Sequence, residues 1–382
     1  MNFDRLKNFL DYELPALGIP GSDTVIRVGR ETVFRHTSGF DSVSERTPLR
    51  SDALYNLYSC TKVSCAVAAT QLIERGEITV TDPIYAYFPE FRNMFVKVKD
   101  ENGSVIDLRP AKKHITIQHL LTMTSGINYN LSSPSINRFK QETDGRCPTL
   151  EFPAALASEA LEFDPGERWC YGLSLDVIGA LIELVSGQRL GEYMKENIFD
   201  PLGMKNTSFG FTDEKLAKMA TQYRFNPETC SPIEIPKDNN PYVLGTEFES
   251  AGAGLISCVD DQILLTDALT HLGLGENGNR ILSERAVNLI RADALSDEVR
   301  KTFTPTHFQG YSYGYGVRVN HNPSSVGNLA PIGEFGWDGA KMAYLSCDPE
   351  NKVSMFHAEH MGGIASLVWP KLRNLLYSSL DY

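Results

Sequence analysis

The sequence predicts an α+β protein with more than one domain: a single antiparallel sheet flanked by helices, with a mainly helical domain inserted into it. Three observations predict this. β-rich runs separated by turn signals occupy both ends of the chain. Helix-periodic runs fill most of the stretch from about Thr61 to Leu272. The chain has 382 residues, more than a typical ~150-residue domain holds. Strands at both ends join most economically in one sheet, so residues 1–60 and 250–382 are assigned to it and 61–249 to the helical insert.

The elements follow in order. Phe3, Leu6, Leu10 and Leu14 fall on one face of a first amphipathic helix. Val25, Ile26, Val28, Val33 and Phe34 flank Gly29-Arg30, the pattern of a β-hairpin. An Ala-rich helix follows Thr61 and is closed by Gly76. A second runs from Ser174, a plausible N-cap, to Gly187. A third carries Asp260 and Asp261 near its start. Segments 311–320, 341–348 and 352–360 carry strand patterns, with Asp348-Pro349-Glu350-Asn351 as one turn. A last helix contains Pro370, expected to kink or split it.

Composition excludes several function classes. Asp plus Glu number 48 against 36 Lys plus Arg, a net charge of −12, which argues against nucleic acid or an anionic membrane as partner. No run approaches the ~18 apolar residues of a membrane span. The first residues are interrupted by charges and contain no apolar leader core, so a cytoplasmic location is expected. The seven cysteines form no CxxC pair and read as scattered reduced thiols.

Several motifs fail on context. Gly273-Leu-Gly275-Glu-Asn-Gly278 spells a dinucleotide fingerprint but follows a helix, not a strand, and reads as a helix stop plus loop. His357 and His360 have a possible metal-ligand spacing, but they lie at a strand end, where buried structural histidines are the commoner case. There is no phosphate-binding loop and no GxSxG elbow. No metal and no organic cofactor is implied.

Ser59-Cys60-Thr61-Lys62 is an S-x-x-K tetrad at a helix start. Residues i and i+3 share a helix face, so the lysine amine can reach the serine hydroxyl. A desolvated lysine gives up its proton more readily and serves as a base. A chain this rich in Ser and Lys also yields such a tetrad by chance. Taken alone, it is better read as a Ser59 cap followed by a solvated lysine.

The surroundings extend the pattern. The tetrad is preceded by Leu57-Tyr58 and followed by a helix ending Glu74-Arg75-Gly76. Then come Ile115 to Gly126, Pro165-Gly-Glu-Arg-Trp-Cys-Tyr171, Asp176-Val-Ile-Gly179 and Pro201-Leu-Gly-Met204. Gly252-Ala-Gly-Leu255, Gly310-Tyr-Ser-Tyr-Gly314 and Phe335-Gly-Trp-Asp-Gly339 complete the series. This ordered set, spanning nearly the whole chain, resembles the serine β-lactamase-like superfamily of class C β-lactamases and DD-peptidases, and most of all the family VIII carboxylesterases. The resemblance implies that family's fold, with the active site in the cleft between the two domains. It implies Ser59 as the acylated nucleophile, Lys62 as adjacent base or relay, and Tyr171 as the proton shuttle. The local alternative for Tyr171 is a core aromatic beside Trp169. The third family element aligns with Trp337-Asp338-Gly339, and the oxyanion hole would be the backbone N–H groups of Ser59 and Ala340. Gly339 would let substrate lie close.

Two departures bear on substrate. Leu173 stands where relatives carry the Asn that bonds a substrate amide, and leucine cannot make that bond. Trp337-Asp338 replaces the cationic pair that holds a substrate carboxylate; an ionised Asp338 facing the cleft would repel one, or Asp338 bonds a nearby loop. Lys341 is expected on the opposite strand face from Ala340. Both departures favour a carboxylesterase acting on small neutral or hydrophobic acyl esters. The alternatives are a D-amino-acid peptidase, amidase or β-lactamase, an acyltransferase of the same fold, or a binder or sensor without catalysis. The partner is a small-molecule ester or amide. Segments 128–150 and 223–249 are expected to shape the cleft; oligomeric state is not legible.

Overall fold

The computed structural model describes residues 1–381. Eight strands form the main sheet: β1 (Gly21–Val28), β2 (Glu31–Ser42), β3 (Thr47–Pro48), β4 (Tyr311–Tyr313), β5 (Arg318–Asn320), β6 (Phe335–Asp338), β7 (Tyr344–Asp348) and β8 (Val353–Glu359). Their order is β4-β5-β6-β7-β8-β1-β2-β3, and every neighbour pair is antiparallel. The seam between the two ends of the sequence is the β1–β8 ladder, where Ser22 faces Glu359 and Val28 faces Val353.

The β1–β2 turn is Gly29-Arg30, and both residues have positive φ, 54° and 77°. Two such residues make the tight turn whose twist matches a hairpin. Arg30 holds this strained conformation while its guanidinium reaches Asp267 and the Leu274 carbonyl.

Helices cover both faces. Tyr344 and Cys347 point to opposite sides of β7. Tyr344 packs against Trp369 of helix α4 (Ala365–Leu380), while the Cys347 thiol meets the Thr266 carbonyl of helix α3 (Val259–Thr270). Helix α4 runs unbroken through Pro370, so the expected split does not occur. The first helical run spans Asp4–Asn8, a π turn Phe9–Glu13 and Leu14–Ala16; it buries Leu6, Phe9, Leu10 and Leu14, with Phe3 half-buried against Phe34.

Helix α1 (Thr61–Glu74) is buried on nearly every side, from Thr61 to Leu72. Helix α2 (Ser174–Ser186) lies against it and ends at Gly187, whose φ of 71° is the left-handed stop expected. Ser174 is not its N-cap: that position is Leu173, and the Ser174 hydroxyl bonds Ser125 instead. The middle of the chain is also less uniformly helical than its periodicity suggests. It contains a hairpin, Phe95–Lys99 with Val105–Pro110, and a ribbon, Gln222–Asn226 with Ser231–Ile235, that pairs in parallel with Met361–Gly362. Alternating Lys and Val in 95–99 is strand chemistry that the surrounding helices mask.

The motifs set aside stay outside the chemistry. Gly273–Gly278 is the loop after α3. His357 is buried between Thr24 Oγ1 (2.7 Å) and Glu359 Oε1 (3.0 Å), and His360 bonds the Thr221 carbonyl. Burial pushes both imidazoles down, to about 3 and about 4. Among the described residues no three His, Cys, Asp or Glu side chains are grouped to hold a metal, and no helix is long and apolar enough to cross a membrane.

Candidate active site

Ser59 sits in a single 3₁₀ turn, Tyr58–Cys60, that feeds directly into α1. Tyr58 takes a left-handed φ of 47°, which costs a non-glycine residue about 1–3 kcal/mol. Its hydroxyl donates to Gln222 Oε1 (2.6 Å) and to the Asn239 carbonyl (2.9 Å), which hold the turn in place. Ser59 is 9% exposed, at the floor of a cavity of about 600 Å³.

Two polar groups converge on its hydroxyl, and a third bonds one of them. Lys62 Nζ, fully buried one helical turn on, lies 3.3 Å from Ser59 Oγ and donates to the Gly252 carbonyl at 2.8 Å. The Tyr171 hydroxyl bonds Ser59 Oγ at 2.6 Å, and Trp337 Nε1 donates to that hydroxyl at 3.3 Å. The sequence tetrad and Tyr171, 112 residues apart from Ser59, are thus brought to one point. Lys62 Nζ also lies 4.7 Å from the centre of the Tyr171 ring, within cation–π range.

Behind Lys62 stands Asp176, on the first turn of α2 and fully buried. Its Oδ1 accepts from Ser250 Oγ (2.7 Å) and from the Gly252 N–H (3.1 Å). Burial raises its carboxyl above the ordinary range, opposed by the nearby Lys62 charge. Gly252 is wedged between the two: a Cβ there would stand 2.7 Å from Asp176 Oδ2 and 3.3 Å from Lys62 Nζ.

The third motif forms the end of β6 and the turn after it. Gly339 packs so closely on the Leu57 carbonyl that a Cβ would lie 2.3 Å from it. The glycine is therefore required by the protein's own backbone, two residues before Ser59, beyond any closeness to substrate. Ala340 lines the cavity with Ser59, and among the described residues nothing accepts a hydrogen bond from its N–H. Asp338 also lines the cavity; its Oδ2 accepts from the Trp369 indole (2.9 Å) and lies 3.1 Å from His307 Nε2. The hydrogen bond to Asp338 thus comes from helix α4, and the loop contributes the His307 contact. Lys341 turns away, donating to the Tyr223 carbonyl at 2.7 Å.

Leu173 is a correction. It is 3% exposed, capping α2 with its N–H on the Asn128 carbonyl, and it is absent from the cavity wall. Its side chain packs in the core, so it does not stand where substrate would meet it.

Aromatic rings that no motif announces make the rest of the wall. Tyr129 stacks on Tyr171 (5.3 Å, 13°), which is flanked by Trp169 (6.0 Å) and Trp337 (5.7 Å), and Tyr242 meets Tyr129 edge-on. Tyr129 and Tyr242 come from the two segments expected to shape the cleft. Burial raises both phenols, more strongly for Tyr129. Asn128 anchors the first segment by donating to Glu162, which Lys97 and Lys99 of the unexpected hairpin also hold. The Thr304–His307 loop closes the wall.

Residues 6–358 match the sequence model of the family described as Beta-lactamase. The chain belongs to the beta-lactamase family. Among its relatives, "Protein Rv1367c" of Mycobacterium tuberculosis is 30% identical over 327 residues, 84% of this chain and 80% of its own length. Esterase EstB of Burkholderia gladioli is 28% identical over 360 residues, 88% of this chain and 84% of its own. Among solved structures, simvastatin synthase (LovD6 mutant) of Aspergillus terreus superposes with a TM-score of 0.80 at 21% identity, covering 98% of this chain and 94% of that one. Such structures establish that the beta-lactamase fold extends over essentially the whole chain.

Proposed function

We propose that this protein is a serine hydrolase that forms an acyl-Ser59 intermediate and acts by preference on carboxylic esters with small neutral or hydrophobic acyl groups. The observation that carries this reading is the convergence of Lys62 and Tyr171 on one serine oxygen at 3.3 and 2.6 Å. Esterase EstB, similar over most of the chain, supports the ester chemistry by its name.

In the first step Ser59 Oγ attacks the ester carbonyl and passes its proton to the Tyr171–Lys62 pair. The carbonyl oxygen becomes an oxyanion facing the N–H groups of Ser59 and Ala340, donors that commonly contribute ~2.7–4 kcal/mol each. Tyr171 then protonates the leaving alkoxide. In the second step water, or an acceptor alcohol, attacks the acyl-serine with the same groups in reverse order. The Tyr129 and Tyr242 rings on the cavity wall support an apolar acyl group.

Acyl transfer is the second reading. Solved neighbours include EstCE1, described as a hydrolase with promiscuous acyltransferase activity (TM-score 0.77, 22% identity, 98% of each chain). Paired assays with p-nitrophenyl butyrate and a chromogenic cephalosporin test the proposal in the wild type and in Ser59→Ala. Ester turnover that vanishes in the variant, with little cephalosporin turnover, is expected. Undiminished ester turnover by Ser59→Ala overturns it. Added alcohol that diverts the acyl group from water identifies the transferase.

A further inference from the structure

Asp338 is the charged carboxylate on the wall of the cavity that holds Ser59. Its two oxygens differ. Oδ2 is taken up by the Trp369 indole and by His307. Oδ1 has no partner among the described residues and is not buried. A carboxylate oxygen open to a cavity is negative charge available to a ligand that enters it.

The surroundings define what pairs with it. Trp337, adjacent in sequence, stacks in a row with Tyr171 and Trp169, and all three rings line the same space as Asp338. Aromatic rings beside a carboxylate form a combination that holds an organic cation, including a quaternary ammonium, which has no N–H and is held by its charge and by ring contact. The nearby cations are otherwise engaged. Arg318 is buried against Glu334 at 2.7 Å, Arg373 is buried with its guanidinium on the His307 carbonyl (3.2 Å), and Lys62 lies beneath Ser59 on the Gly252 carbonyl. His307 Nε2 lies 3.1 Å from the other Asp338 oxygen, Oδ2. The chain's net charge of −12 favours the approach of a cation over that of an anion.

We infer that Asp338 is a specificity-determining residue that, with the Trp337, Tyr171 and Trp169 rings, binds a positively charged alkylammonium group on the alcohol half of the substrate ester. This rests on the reading of the cavity as an ester site with an apolar acyl side. The alcohol half is then the part left to meet the carboxylate.

The test compares butyrylcholine with its uncharged isostere 3,3-dimethylbutyl butyrate, in the wild type and in Asp338→Asn. The asparagine keeps an oxygen for the Trp369 N–H. Wild-type kcat/KM is expected to favour the cation by about tenfold or more, and the ratio is expected to fall toward one in the variant. A wild-type ratio of one or below, or a ratio that the variant leaves unchanged, overturns the inference. Calorimetric titration of choline and of 3,3-dimethylbutanol into both proteins reads the same discrimination without turnover. Choline must bind the wild type more tightly than the neutral alcohol, and Asp338→Asn must remove the difference; equal binding overturns the cation site. If no ester is turned over, the hydrolase reading fails on its own, and the titration still decides the cation site.

Discussion

Trp337 donates its indole N–H to the Tyr171 hydroxyl, the same oxygen that bonds Ser59. A neutral donor thus occupies a position where the resemblance implied a cationic side chain. A donor on the phenol oxygen stabilises that oxygen whenever it carries negative charge, which is the state a proton-accepting tyrosine passes through. Trp337→Phe keeps the stacked ring and removes the donor. The expected result is a fall in kcat of about tenfold, the worth of one hydrogen bond near 1.4 kcal/mol, with KM little changed. Steady-state kinetics on p-nitrophenyl butyrate reads this. A change confined to KM would make Trp337 a wall residue only.

Gly339 and Leu57 make the second prediction. A methyl at 339 would sit 2.3 Å from the Leu57 carbonyl, so β6 and the turn before Ser59 must separate. Gly339→Ala is expected to destabilise the protein by about 1–3 kcal/mol. It should also cut kcat by a larger factor than its stability loss explains, because the strain falls two residues from the nucleophile. Thermal melts and kinetics on the same preparation separate the two effects.

Asp176 reaches Lys62 only through Gly252 and through space, so it is a positioning residue. Asp176→Asn retains acceptors for Ser250 and Gly252 while removing the charge. Loss of a negative charge beside an amine favours the neutral amine. The pH–rate profile of Asp176→Asn is therefore expected to shift to lower pH. A variant that loses stability but keeps the wild-type profile would assign Asp176 a purely structural role.

Three buried or half-buried histidines are expected to weaken the fold in acid. Burial holds His360 and His119 at about 4 and His357 at about 3, against 6.5 for an exposed imidazole. Between those values the unfolded chain binds protons that the folded one refuses, so stability is full above about pH 6.5 and falls as pH drops toward 4. A shift from 6.5 to about 4 corresponds to about 3 kcal/mol for one such group. Melting temperature measured from pH 7.5 to pH 4.5 should fall, and His360→Gln should flatten the slope.

The residues that resemble a motif were legible because their chemistry is local or ordered along the chain. The S-x-x-K spacing is one helical turn, so Ser59 and Lys62 meet wherever the helix forms. The outer strands were legible from alternation and the Gly29-Arg30 turn. What escaped is long-range. The segments holding Tyr129 and Tyr242 were expected at the cleft, but nothing singles out these two rings, which meet across more than a hundred residues of sequence. The His307–Asp338–Trp369 contact needs a loop, a strand and a helix to converge. Leu173 looked like a cleft residue because it stands where the resemblance places a substrate-bonding Asn; its side chain instead packs into the core. The strands at 95–110 and 222–235 were missed because helix-forming segments surround them.

The β1–β8 ladder has a consequence for how the molecule is made. Ser22 must wait for Glu359 before the centre of the sheet exists. At ribosomal speeds of ~5–20 residues per second, the first hairpin spends on the order of tens of seconds with an unfilled pairing edge. During that time the serine turn and its helix can be synthesised and even coil, but the strand bearing Trp337 has no platform to rest on. Catalytic competence is therefore a late event in biosynthesis. The early hairpin is the part of the nascent chain most in need of shielding from other chains.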